Sequence, residues 1–67
     1  MKQVSVFKFH CHFANDFTDF TDRYIVAEST EAAWEIFEEY NDKLEEDGYV
    51  KVVACGEPTV EIDYALA

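Results

Sequence analysis

The stretch that most constrains the fold is the N-terminal run Lys2–Phe13. Apolar Phe7, Phe9, Cys11 and Phe13 alternate there with polar Lys8, His10 and His12. A period of two is the mark of a β-strand with one face buried. Val4 and Val6 fall on the polar side of the pattern, so the second face is not wholly hydrophilic. The same alternation decides how to read the palindrome Phe9-His10-Cys11-His12-Phe13. On a strand, His10 and His12 project to one face and Cys11 to the other, so the three cannot chelate one ion together. What survives is a His-x-His pair, a candidate metal site only if a neighbouring strand supplies further ligands. Asp19 and Asp22, across a hairpin, are within reach. No metal or other cofactor is expected, and the two histidines read as solvent-facing side chains.

Further along, Ala14-Asn15-Asp16 is a turn signal, since Asn and Asp bond their own backbone. "FTDFTD", residues 17 to 22, has a period of three that suits neither a strand face nor a solenoid repeat at this length, and reads as a ragged hairpin end. The firm part of the second strand then runs from Thr21 to Ala27, with either Tyr24 and Val26 or Ile25 and Ala27 buried. Ser29 and Thr30 offer helix N-caps, and Glu31 suits the positive end of the helix dipole. The apolar positions Ala33, Ile36, Phe37, Tyr40 and Leu44 form one stripe at helical spacing, with Trp34 at its edge and Gly48 as the C-terminal stop. Tyr49–Cys55 reads as a third strand and Gly56–Thr59 as a turn. Val60, Ile62 and Tyr64 alternate with acids in a fourth strand.

The order β-β-α-β-β predicts an α+β fold, a two-layer sandwich of one antiparallel four-stranded sheet and one helix, in a single domain covering residues 1–67. Strand order 2-1-3-4, with the Phe-rich strand inside, is expected first and 1-2-4-3 second. One helix covers one face of such a sheet, yet apolar residues occur at both parities. A homodimer through the open face or an edge is therefore expected, with Val4, Val6, Tyr24, Val26 and Val53 on the dimer face.

Fifteen Asp and Glu against five Lys and Arg give a net charge of −10. Such a chain repels nucleic acid and anionic membrane and attracts basic protein surfaces. With no apolar run of 18 residues and no leader pattern, it reads as cytoplasmic. Cys11 and Cys55 lack a C-x-x-C spacing and read as free thiols in a reducing compartment.

Catalytic motifs are absent: the sequence holds no Gly-rich phosphate loop, no G-x-S-x-G, and two serines, Ser5 and Ser29. A calcium loop centred on Gly48 fails because its first and twelfth positions would be Lys43 and Ala54. The chain is read as non-enzymatic.

The acidic helix is the feature that asks for a function. At 100° per residue, Glu35, Glu38, Glu39, Asp42, Glu45 and Glu46 fall opposite the apolar stripe, and Lys43 is the helix's one base. Solvated helices usually mix signs, because Glu–Lys pairs at i,i+4 stabilise them and like pairs cost a similar amount. The like pairs here sum to about 1 to 3 kcal/mol of self-repulsion. Carboxylates from Glu35 to Glu46 span about 16 Å, comparable with about five phosphates along one strand of duplex. A basic protein groove that normally holds nucleic acid is the partner this pattern fits. The alternative is that the acidity serves solubility alone.

The stretch "RYIVAESTEAAWEIFEEY", residues 23 to 40, resembles a pattern of small phage and mobile-element proteins, among them the DpnD/PcfM-like group: a strand ending in a small residue, a Ser/Thr cap, a Glu-Ala-Ala start and an amphipathic helix. It covers about a quarter of the chain, and no site residues carry over from it. Small size and strong acidity also resemble anti-CRISPR and other phage inhibitors of host nucleic-acid enzymes, several of which mimic DNA. That likeness implies an inhibitor, without a shared motif.

Overall fold

The computed structural model describes the backbone of residues 2–66 and the side chains of residues 4–62. Its elements are β1 (Lys2–Phe13), β2 (Asp16–Ala27), α1 (Thr30–Glu46), β3 (Val52–Ala54) and β4 (Thr59–Leu66). The fold is α+β, with four antiparallel strands in one sheet and one helix in β-β-α-β-β order.

β1 is the interior strand. β2 pairs with it on one side, from Ser5↔Ala27 to His12↔Phe20. On the other side β3 covers its C-terminal end, Cys11↔Ala54 to Phe13↔Val52, and β4 its N-terminal end, Lys2↔Leu66 to Lys8↔Thr59. The 2-1-3 part of the first expected order therefore stands, whereas β4 bonds to β1 rather than lying outside β3. Both β3 and β4 run antiparallel to β1, so together they are one interrupted strand and not a hairpin. Between them, three residue steps on β1 face five on the other side. The excess is taken up in the segment Cys55–Pro58, where Gly56 has φ +99°. Only a glycine enters that conformation without strain. Gly56–Thr59 thus kinks the chain without reversing it.

Two further expectations are corrected. β2 begins at Asp16, not Thr21. The period-three stretch is accommodated because the partner of β1 jumps from Phe20, opposite His12, to Asp16, opposite Phe13, leaving Phe17, Thr18 and Asp19 as a three-residue bulge. Asp16 Oδ1 holds its base, accepting from Thr18 N at 3.0 Å and Thr18 Oγ1 at 2.6 Å. The third strand is shorter than Tyr49–Cys55: Tyr49 and Val50 are exposed, and Lys51 joins β1's side only through its carbonyl, which accepts from Ala14 N at 2.8 Å.

Helix α1 starts where Ser29 Oγ accepts from Ala32 N at 3.1 Å. It ends at Gly48, φ +82°, where Gly48 N donates to Glu45 O and Tyr49 N to Leu44 O. These are the two reversed bonds of a Schellman terminus. The helix lies on the odd-numbered face of β1. Phe7, Phe9, Cys11, Ile25, Ala27, Ala33, Phe37 and Val52 form the core, with Phe13, Trp34 and Tyr40 packed against it. Phe9 is its centre, stacked on Phe37 at 4.6 Å and edge-on to Trp34 at 5.0 Å. The open question in β2 is settled: Ile25 and Ala27 are buried, while Tyr24 and Val26 are 61% and 56% exposed on the opposite face.

The helix stripe differs from the expected one at two places. Ile36 is 40% exposed, and the polar Asn41 is buried in line with Ala33 and Phe37. Residues 33, 37 and 41 are successive i,i+4 positions, so the stripe drifts toward the side where β3 lies. Asn41 is there to bond that strand's edge.

Candidate docking surfaces

The outer side of α1 carries the six predicted carboxylates. Glu35, Glu38, Glu39, Asp42, Glu45 and Glu46 are all exposed, on the side away from the sheet. Among the described ion pairs, only Glu45 of the six has a cationic partner, Lys51 Nζ at 3.2 Å. Lys43 sits in the last turn, where a cation suits the negative end of the helix dipole. The face is thus acidic from its second turn to its end, and its charge is mostly unopposed.

The outer face of the sheet is the second candidate. Pairing register places Val6 beside Val26 and Ile62, Lys8 beside Tyr24 and Thr59, His10 beside Asp22, and His12 beside Phe20 and Val53. The five residues expected on a dimer face do share one side of the sheet. Tyr24, Val26 and Val53 are exposed, and Val4 and Val6 half-buried. Ile62 and Phe20, exposed on the same side, extend it. Tyr64 pairs with Val4, but its side chain lies outside the described residues.

The histidines occupy that outer face and Cys11 the core, as alternation requires. His10 Nδ1 meets Asp22 Oδ1 at 2.9 Å, and its ring stacks on Phe20 at 5.1 Å. Asp22 is therefore the cross-hairpin carboxylate that reaches. It serves as a hydrogen-bond partner, and the contact from His10 holds its carboxyl below the usual range. His12 Nδ1 is taken by the Phe13 carbonyl at 2.8 Å. Among the described residues no group of three or more His, Cys, Asp or Glu is placed to hold a metal.

Sequence reasoning missed Arg23. It lies on the helix side of β2, opposite Phe9, and its Nε donates to Tyr40 Oη at 3.0 Å while Nη1 donates to Thr21 Oγ1 at 2.8 Å. Pairing aromatic and cation in this way closes the rim of the core next to the free edge of β2. Two open grooves, of about 390 and 340 Å³, flank the Arg23–Tyr40 contact. The parity of β2 could have found Arg23, because it shares a face with Ile25 and Ala27.

No helix among the described residues is long and apolar enough to cross a membrane. In comparisons with protein-family models, curated proteins and solved structures, nothing matches the chain.

Proposed function

We propose that this chain is a non-enzymatic protein-binding module that docks the outer face of α1 on a basic protein surface, of the kind that otherwise holds nucleic acid. One observation carries the reading: six exposed carboxylates on one helix face, of which Glu45 alone has a described ion-pair partner. Like charges at i,i+3 and i,i+4 destabilise a helix. A partner rich in Lys and Arg turns that cost into attraction. The face points away from the sheet, so such a partner meets the carboxylates before any other element. The strand–helix pattern and strong acidity support a phage or mobile-element inhibitor acting as a nucleic-acid mimic in the cytoplasm of a bacterial cell.

The experiment is capture from bacterial lysate on immobilised protein, followed by competition with duplex DNA. Captured proteins are expected to be released by DNA and by high salt, since both act on exposed charge. The substitutions Glu38→Lys, Asp42→Lys and Glu46→Lys, made together, are expected to abolish capture. Capture that survives these substitutions overturns the reading.

A further inference from the structure

The helix fills one side of the sheet, and the other side carries exposed Tyr24, Val26, Val53 and Ile62 with half-buried Val4 and Val6, and no described element lies over them. We infer that a second copy of this chain covers that face, sheet against sheet, in a four-layer α/β/β/α dimer. The inference is independent of what α1 binds.

Charge identifies the occupant. The chain has a net charge of −10, so most contacts between two copies set carboxylate against carboxylate. The outer sheet face is far less acidic than α1, because its described carboxylates Glu61 and Asp22 each have a partner within it. Lys8 Nζ lies 3.7 Å from Glu61 Oε1, and His10 Nδ1 lies 2.9 Å from Asp22 Oδ1. Two copies meet here with less repulsion than anywhere along α1, whereas a basic partner is drawn to the unopposed acids of that helix. Pairing along the free edge of β2 is disfavoured by the same logic, since it would gather two copies each of Asp16 and Asp19.

Size sets the strength. From Val4 to His12, across three strand positions, the face measures about 27 by 14 Å, or about 400 Å² in plan. That is within the range of the largest apolar patch on a monomer, about 300 to 600 Å². Two such faces, with the relief of their side chains, bury about 1,000 Å², the small end of specific interfaces. A weak, reversible dimer is expected from an interface of this size. It would carry its two acidic helices on opposite outer layers and so present two docking faces.

The backbone distinguishes face from edge. Cys55 N donates to His10 O at 2.7 Å, so the polar groups of His10 point toward β3 and those of Phe9 and Cys11 toward β2. The β2 partners of Phe9 and Cys11 are Arg23 and Thr21. The amides of Asp22 and Tyr24 therefore point to the free edge of β2.

Sedimentation velocity of the full chain from about 0.5 to about 500 μM tests the inference, a span that brackets constants from about one to about a hundred micromolar. The dimer is expected to populate across this range. Val26→Lys with Ile62→Lys, at two exposed positions, should leave a folded monomer by circular dichroism. The milder Val26→Thr with Ile62→Thr should weaken association about tenfold or more. Hydrogen exchange at Asp22 and Tyr24 should stay fast at high concentration. A wild-type monomer at the top of the range overturns the inference. So does a dimer indifferent to both double variants, or protection of the Asp22 and Tyr24 amides on association.

Discussion

The carboxamide of Asn41 holds the backbone of Val52 from both sides of one residue: Nδ2 donates to the Val52 carbonyl and Oδ1 accepts from the Val52 amide, each at 3.0 Å. β3 has three residues and no neighbour beyond it among the described residues, so this side chain stands in for the next strand. A buried backbone pair left open costs more than the bonds are worth when made. Asn41→Ala is expected to cost about 2 to 4 kcal/mol, two hydrogen bonds plus the penalty of unpaired groups. Asn41→Leu, which restores apolar volume, should not recover it. Urea unfolding measures both, and a loss below about 0.5 kcal/mol in either would show that β3 does not depend on this contact.

The acidic face makes a prediction about stability that needs no partner. Glu38 and Asp42 each have like-charged neighbours at i,i+4. Glu38→Lys with Asp42→Lys converts several like pairs to opposite ones and is expected to stabilise by about 0.5 to 2 kcal/mol. In about 1 M salt, where the screening length is about 3 Å, most of the gain should vanish. Thermal melts at low and high salt check this; a gain that persists unchanged in salt would point to helix propensity rather than charge.

Most of the fold was legible because the hydrophobic period changes twice along the chain, from two to 3.6 and back. Phe7, Phe9 and Cys11 announce β1's buried face, and Ser29 and Gly48 mark both ends of α1 with the residues those ends require. What was not legible depends on contacts distant in sequence. β4 is separated from β3 by a turn-like stretch, and only pairing with β1 shows that the stretch kinks the chain without reversing it. Asn41 interrupts an apolar stripe, and pattern alone leaves it on the polar side. The carboxylates of α1 were placed correctly because helical geometry is local. The docking role proposed for them would depend on a second molecule, which no pattern within this chain contains.

Acid unfolding should report on the β1–β2 ladder. The hydrogen bond from His10 lowers the Asp22 carboxyl, and the side-chain and backbone bonds from Thr18 lower Asp16. A carboxyl depressed in the folded state contributes stability that is present above its unfolded value, about 3.9, and is lost as pH falls through the folded one. Stability is therefore expected to drop below about pH 4. Asp22→Asn and Thr18→Val should each lower stability at neutral pH and flatten the acid limb. Chemical unfolding as a function of pH checks this, and variants that track the wild-type acid limb in parallel would remove these carboxyls from the account.

The two cysteines differ in environment more than in sequence context. Cys11 is fully buried, its Sγ directed to the Phe9 carbonyl at 3.3 Å, whereas Cys55 is exposed in the kink between β3 and β4. Burial raises the Cys11 thiol above its ordinary value, and the thiolate is the reactive form. A disulfide-exchange reagent near pH 8 is expected to modify one thiol per folded chain, and that thiol should disappear in Cys55→Ser. Both should react in denaturant. Cys11→Ser should instead destabilise the fold, because a hydroxyl replaces a thiol that packs as a small apolar group. Rapid labelling of Cys11 in the folded chain would mean that the helix lifts from β1 on the timescale of the reagent.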